Sequence, residues 1–173
     1  MNHWIDLLKI TLPALILLAA VYYVVGGFLR NSEKLRQLEM IRENRKIITP
    51  LRLQAYERLI LFLERIAPDS IVLRANYPSN TCEQLHDELL QTIRAEYEHN
   101  LSQQLYVSME AWNSVKSAKN YTVSLINAAA KEVENEAPAI ELSRVMLNMA
   151  AEMERPPTQK AIDELKADIH QLF

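Results

Sequence analysis

The chain has 173 residues and a formal net charge of −3. About 29 of these residues form an N-terminal tail and an apolar segment, and the remainder is long enough for one domain with its own core. An acidic chain lacks the basic field on which nucleic-acid binding depends, so we expect no nucleic-acid partner. Cys82 is the only cysteine, and an intrachain disulfide is therefore impossible.

The two glycines, Gly26 and Gly27, both lie before Arg30. Loops that bind phosphate need glycine, because their backbone N–H groups must approach the anion closely. The absence of glycine after residue 30 excludes a P-loop, a Rossmann turn and a kinase glycine-rich loop. The G-x-S-x-G nucleophile motif is also missing. We therefore expect no nucleotide, no cofactor and no catalytic residues.

Residues Ile10 to Leu29 contain no charged side chain and predict a transmembrane helix. At ~1.5 Å per residue they span about the 30 Å of a hydrocarbon core. A cleaved signal peptide is the alternative, but the apolar run continues beyond Ala19 and Ala20, and Leu18 stands where a small residue is expected. An uncleaved anchor is the favoured interpretation.

Flanking charge predicts the orientation of this span. Only Lys9 precedes it, whereas six cations follow it: Arg30, Lys34, Arg36, Arg42, Arg45 and Lys46. By the positive-inside rule, residues 1–9 form a short extracytoplasmic tail and the C-terminal domain is cytoplasmic, at the inner membrane. The pairs Ala19/Gly26 and Ala20/Gly27 are each seven residues apart and predict a side on which two membrane helices could pack closely.

Residues 30–48 carry charges of both signs and predict a charged juxtamembrane helix. A solvated continuation of the span is favoured over a coiled coil, because the heptad pattern is not sustained. Thr49 and Pro50 have the form of an N-cap followed by a first-turn proline and predict the start of a helical domain over residues 49–173. Apolar residues then recur at helical spacing until Pro68, which is predicted to end that helix.

Asp69 to Asn80 is rich in turn-forming residues and predicts an irregular connection. Thr81 and Gln84 have the spacing of a capping box, which predicts a helix from Cys82 onward. The pattern weakens near His99, and the sequence leaves open whether residues 82–136 form one helix or two.

Pro138 begins a methionine-rich helix, for which core filling is favoured over an adaptable binding surface. Pro156 and Pro157 are predicted to end it, and Thr158 to cap the last helix. The predicted fold is all-α, with one transmembrane helix followed by a cytoplasmic antiparallel bundle of about four to five helices.

Two E-x-x-H matches, Glu83/His86 and Glu96/His99, have the spacing that carboxylate-bridged metal bundles use. They lie on one predicted helix and point roughly 140° apart, so they cannot face each other across a site, and we expect no metal. Cys82 stands at a predicted helix N-terminus, where a thiolate is stabilised, but no placed base accompanies it and we treat it as inert.

The run His99, Asn100, Ser102, Gln103 and Gln104 is the densest group of hydrogen-bonding side chains, flanked by Tyr97, Tyr106 and Trp112. Aromatic residues beside amides are common at binding surfaces. A solvated kink is the simpler interpretation and is favoured.

Five stretches carry a resemblance to a known family: PLRLQAYERL at 50–59, LFLERI at 61–66, EHNLSQQ at 98–104, AW at 111–112 and LF at 172–173. Together they resemble a family of small single-pass membrane proteins from Bacteroidetes without an assigned function. The resemblance extends over nearly the whole chain and implies a membrane-anchored helical domain with no catalytic residues. With the polar run it indicates one candidate interaction surface: Arg52, Glu57, Arg58, Glu64, Arg65, His99, Asn100, Ser102, Gln103, Gln104, Tyr106 and Trp112.

The expected function is non-enzymatic. The chain would be an anchored adaptor or structural subunit that presents its bundle to a protein partner or to copies of itself, with the lipid bilayer as its other partner. Two alternatives stay open: a metal-dependent or thiol enzyme built on His86, His99 or Cys82, and an accessory subunit of a sensor whose span transmits a signal.

Overall fold

The computed structural model describes residues 3–75 and 80–170; before residue 32 it describes side chains only at 12, 15–18 and 20–28. The protein is all-α, as predicted, with 87% helix and no β-strand among the described residues. The α-helices are α1 His3–Ile66, α2 Pro68–Ala75, α3 Cys82–Asn100, α4 Met109–Ala130, α5 Ala139–Ala151 and α6 Pro157–His170, and a 3-10 helix covers Leu101–Leu105.

The chain divides into two compact units, residues 1–49 and 50–173, and α1 contributes to both. The expected helix start at Thr49 and Pro50 is wrong, because α1 continues through both residues. A proline removes one backbone hydrogen bond from a helix. The helical residues on either side keep the remaining bonds, so Pro50 interrupts the hydrogen-bond ladder without ending the helix.

The prediction of an irregular connection after Pro68 is also wrong in its first part. Pro68 begins α2, where its missing N–H is one that a first helical turn leaves unpaired. This short helix buries Ile71 and Val72 in the core, and that burial outweighs the weak helical tendency of the segment. The rest of the predicted connection, residues 76–79, lies outside the described residues.

The region from 82 to 136 forms two α-helices separated by the 3-10 helix. The predicted capping box of α3 is confirmed: Thr81 Oγ1 accepts from Gln84 N at 3.3 Å, and Thr81 N donates to Gln84 Oε1 at 3.1 Å. α4 begins at Met109. Ser108 caps this helix, because Ser108 Oγ accepts from Ala111 N at 3.1 Å. It ends at Ala130, six residues before the expected limit at Glu136.

The restart at Pro138 is confirmed, since α5 begins at Ala139. Met146 on α5 is fully buried and Met149 packs against the core, in agreement with a core-filling role, whereas Met153 lies beyond α5 and is 38% exposed. Thr158 is not the cap of the last helix: α6 begins one residue earlier, at Pro157, and Thr158 is buried in its first turn.

The core of the unit 50–173 is continuous and draws on all its α-helices. Its largest fully buried side chains are Tyr56, Leu59, Phe62, Leu63, Ile66, Ile71, Leu85, Leu89, Ile93, Ile126, Leu142 and Met146. The stripe Tyr56, Leu59, Leu63 and Ile66 repeats at three and four residues, which is why this part of α1 buries one side and exposes its charges on the other.

The start of α3 is joined to the α4–α5 connection through the backbone. Cys82 N donates to Ala137 O at 2.8 Å and Ala139 N donates to Asn80 O at 3.0 Å, which forms an isolated bridge between Thr81 and Pro138. No described residue has a positive φ angle, so the turns between the described helices use only backbone conformations that any L-amino acid can adopt.

Candidate functional site

The structure brings together two sets of candidate residues that are far apart in sequence. Arg65 Nη1 on α1 donates to both carboxylate oxygens of Glu96 on α3, at 3.0 and 3.2 Å. Two turns earlier on α1, Arg58 Nη2 lies 3.4 Å from His99 Nε2. Because the charged side of α1 lies against the end of α3, Arg58, Arg65 and His99 belong to one exposed surface.

The polar run itself divides into buried and exposed halves. Asn100 and Gln103 are buried, with Asn100 Nδ2 donating to Glu96 O at 2.8 Å and Gln103 Nε2 to Ser102 Oγ at 3.3 Å. Ser102 and Gln104 are exposed. Asn100 and Gln103 therefore make hydrogen bonds where α3 passes into the 3-10 helix, and His99, Ser102 and Gln104 remain exposed.

Two leucines lie beside those exposed polar groups. Leu101 is 42% exposed and Leu105 is 78% exposed, both on the 3-10 helix. We call the exposed set Arg58, His99, Leu101, Ser102, Gln104 and Leu105 the α3-end surface. An exposed leucine pair with a polar rim has the composition of a small contact surface.

Trp112 and Tyr106 were expected on this surface, and the structure places them elsewhere. Trp112 is buried and stacks on Tyr97, with ring centroids 5.7 Å apart and planes 22° apart. The ring centroids of Phe62 and Tyr97 are 6.0 Å apart. Lys119 Nζ lies 4.7 Å from the centroid of the Tyr97 ring. Trp112 is thus a core residue, and Tyr97 packs against the core. Tyr106 is half-buried and uses its backbone carbonyl, which accepts from Arg52 Nε at 2.9 Å.

A polar cluster that the sequence did not indicate joins α1, α4 and α6. The hydroxyl of Tyr56 donates to Asp168 Oδ2 at 2.7 Å, and the backbone N–H of Ser108 donates to the same oxygen at 3.3 Å. Tyr56 is fully buried. In the sequence, Tyr56 stands on an apolar stripe, which predicts core packing. That pattern does not predict a hydrogen bond to Asp168, which is 112 residues away.

The pKa values in this cluster follow from burial and charge. Burial raises the pKa of Tyr56, and the Asp168 carboxylate raises it further. Burial would raise the pKa of Asp168 too, but hydrogen bonds from Ser108 and Tyr56 and the Arg52 charge outweigh it, and that pKa is lowered. The cluster therefore holds a neutral tyrosine and an ionised aspartate, a stable structural arrangement with no group poised to exchange a proton near neutral pH.

A shallow groove lies on the exposed side of the C-terminal part of α1. Its volume is about 350 Å³, and it is lined by Leu53, Glu57, Ile60, Leu61 and Ile169. Leu53 and Leu61 are each about half exposed. Among the described lining residues, Glu57 is the only charged one, so this lining is mostly apolar and has little to orient a polar ligand. Glu64, the remaining α1 candidate, is exposed about two turns after Glu57.

The residues considered for metal or thiol chemistry have other partners. His86 Nε2 lies 2.9 Å from Asn127 Oδ1, and Glu96 pairs with Arg65. Among the described residues, no group of three or more His, Cys, Asp or Glu side chains is placed to hold a metal ion. Cys82 is buried, and its Sγ lies 3.3 Å from Pro138 O.

The apolar part of α1 is exposed in the isolated chain. Every described large apolar side chain from Leu12 to Phe28 is about half exposed or more. Gly27 has open space where a Cβ would stand, and Ala20, seven residues before it, is exposed; the side chain of Ala19, the predicted counterpart of Gly26, lies outside the described residues. By length and composition, α1 could cross a membrane, and it is the one helix of the described region that could; its most apolar window has a mean hydropathy of 1.5.

These features define a class: an all-helical chain with one apolar helix, among the described residues, that is long enough to cross a membrane. The chain belongs to the family of unknown function DUF7935, whose sequence profile matches residues 2–172. No curated protein and no solved structure matches the chain.

Proposed function

We propose that the protein is a membrane-anchored helical interaction protein, held in the cytoplasmic membrane by residues 10–29, with its bundle in the cytoplasm. One observation carries the proposal: in the charge-free segment, every large apolar side chain that the structure describes between residues 12 and 28 is about half exposed or more. In water such a surface would be strongly unfavourable, whereas in a bilayer it is at its lowest free energy.

The anchor is tested by introducing charge into it. Leu17→Arg with Val21→Arg adds about 2.5–3.5 kcal/mol per residue to the cost of insertion. The double variant is therefore expected to leave the membrane fraction after an alkaline wash, whereas the matched control Leu17→Ile with Val21→Ile stays in it. A wild-type chain that washes off, or a purified chain whose mass is short of 20.0 kDa by the apolar segment, contradicts the anchor.

The orientation is tested with protease. The C-terminal unit is expected to resist protease added to spheroplasts and to be digested in inverted inner-membrane vesicles, because six cations follow the span and one precedes it. Digestion in intact spheroplasts contradicts a cytoplasmic bundle.

The α3-end surface is the part of the bundle that we propose for protein contact. Its support is the convergence of α1 and α3 at Arg58 and His99, with two exposed leucines beside them. We expect a protein partner or a second copy to cover Leu105, which is 78% exposed.

The contact surface is tested by affinity capture from detergent-solubilised native membranes, together with measurement of the oligomeric state. Leu105→Asp is expected to reduce recovery of the partner, or to dissociate a homo-oligomer. The control is Met109→Asp, an equally exposed apolar residue at the start of α4. Monomeric wild-type protein without a reproducible partner contradicts this part of the proposal and leaves the anchor unaffected.

A further inference from the structure

The charged segment after the proposed span sorts its charges by side. Over residues 33–48, at 100° per residue, one arc of about 160° contains four cations and four apolar residues and no acidic residue. We call it the basic face; it consists of Lys34, Arg42, Arg45, Lys46, Leu35, Leu38, Ile41 and Ile48.

The opposite arc holds every acidic residue of the segment. Glu33, Glu39 and Glu43 lie there with a single cation, Arg36, and the apolar Met40 and Ile47. All residues from 33 to 48 are exposed. One ion pair crosses the boundary, Lys46 Nζ to Glu43 Oε1 at 2.7 Å, and both partners are more than 60% exposed. The remaining three cations of the basic face have no acidic neighbour on their own side.

This composition favours one occupant. Cations alternating with exposed Leu and Ile side chains fit the boundary of an anionic bilayer, where apolar groups enter the acyl region and cations meet phosphate groups. A second copy pairing through the same face in parallel would bring Arg42 and Arg45 against the same cations of its partner, which is unfavourable.

We propose that the basic face binds anionic lipid headgroups and inclines α1 toward the membrane surface. The inference rests on the proposed anchor. Along a straight helix, Lys34 lies ~7.5 Å beyond Leu29 and Ile48 ~28 Å beyond it. The near end of the face therefore reaches the headgroups directly, and the far end reaches them only when the helix inclines.

The experiment uses the full chain with Cys82→Ala, reconstituted in nanodiscs of neutral phosphatidylcholine alone or with about 30% phosphatidylglycerol. An environment-sensitive fluorophore is attached at Leu38→Cys on the basic face or at Met40→Cys on the opposite side. Quenching by spin-labelled lipid is expected to be at least about twofold greater at Leu38 when phosphatidylglycerol is present, and unchanged at Met40. About 0.5 M salt should remove the difference, because it screens the headgroup charge.

Charge variants supply the matched control. Arg42→Gln is expected to reduce the quenching at Leu38 in anionic nanodiscs, whereas Arg36→Gln, which removes the same charge from the opposite side, has little effect. Equal quenching at Leu38 in neutral and anionic nanodiscs overturns the inference. An equal loss of this quenching in Arg42→Gln and Arg36→Gln overturns it as well. If the basic face binds an acidic protein instead of lipid, quenching at Leu38 is equal in neutral and anionic nanodiscs.

A label at Val24→Cys separates this failure from failure of the anchor. Strong quenching at Val24 in both lipid compositions, without lipid dependence at Leu38, overturns the basic-face inference and supports the anchor. Weak quenching at Val24 in both compositions contradicts the anchor itself.

Discussion

The hydroxyl of Tyr56 donates to Asp168 Oδ2 at 2.7 Å and so connects α1 to α6 across 112 residues of sequence. Asp168 also accepts from the Ser108 backbone N–H, at the residue that caps α4. One carboxylate thus joins three helices, and the stability of the bundle should depend on it.

Tyr56→Phe is expected to lower the free energy of unfolding by about 1.5–3 kcal/mol, because it removes a hydrogen bond to a charged acceptor. The measurement is urea denaturation of the full chain in detergent, followed by Trp112 fluorescence in a Trp4→Phe background. Tyr106→Phe is the control, since the contact of Tyr106 with Arg52 uses the backbone carbonyl. Equal losses for the two variants would argue against the Tyr56–Asp168 bond.

The lowered pKa of Asp168 predicts how stability depends on pH. Its contribution is fully present above the unfolded pKa, about 3.9, and is lost as the pH falls through the lower folded value. Wild type should therefore lose more stability between pH 5 and the folded pKa than Asp168→Asn does. The midpoints of urea denaturation of wild type and Asp168→Asn over this pH range test the prediction. Parallel pH profiles of the two proteins would contradict the ionised state of Asp168. Tyr56 acts in the opposite direction: its raised pKa adds stability that is present below about pH 10 and lost as the pH rises through the folded value.

Core and surface leucines should differ in their cost of truncation. Leu89→Ala is expected to lower the free energy of unfolding by about 2–5 kcal/mol, because Leu89 is fully buried and the site cannot collapse completely. Leu105→Ala should change it by less than about 0.5 kcal/mol, because Leu105 is 78% exposed. The same denaturation assay compares them, and a similar cost at both positions would contradict the packing described for α3.

The capping box of α3 predicts a local effect. Thr81→Ala should cost about 1 kcal/mol, since it leaves a backbone N–H of the first turn without its acceptor. Gln91→Ala, at an exposed position in the middle of α3, is the control and should be close to neutral. Hydrogen exchange at Gln84 is a second readout, and unchanged exchange in Thr81→Ala would contradict the cap.

Cys82 should be unreactive in the native protein. It is 4% exposed, and its backbone N–H makes one of the hydrogen bonds that join α3 to the α4–α5 connection. Labelling with a thiol reagent is therefore expected to be slow at neutral pH and to accelerate with urea in parallel with unfolding. Rapid labelling of folded protein would show that the start of α3 opens independently.

Local signals could be predicted from the sequence, and contacts between distant residues could not. The capping box at Thr81 and Gln84 and the restart at Pro138 depend on neighbours within a few residues, and both were correct. Prolines were less informative elsewhere. Pro50 lies inside α1, whereas α1 ends at Ile66 just before Pro68, which then begins α2; a proline marks a missing donor, and the surrounding chain decides whether a helix ends there.

The candidate surface shows the same limit. The polar run was visible in the sequence, but its division into buried Asn100 and Gln103 and exposed Ser102 and Gln104 depends on how the chain turns into the 3-10 helix. Trp112 has the composition expected of a binding residue and lies in the core, since Tyr97 and Phe62 supply an aromatic stack that no local pattern indicates.

The described turns, none of which uses a positive φ angle, have a consequence for how this protein can diverge. A turn that needs glycine or asparagine restricts which amino acids can occupy that position. The described connections of the bundle impose no such restriction, and relatives should differ freely there in sequence while keeping the same path of the backbone. Sites such as Lys131 and Glu132, just after α4, are therefore natural places to introduce tags or probes into a working chain.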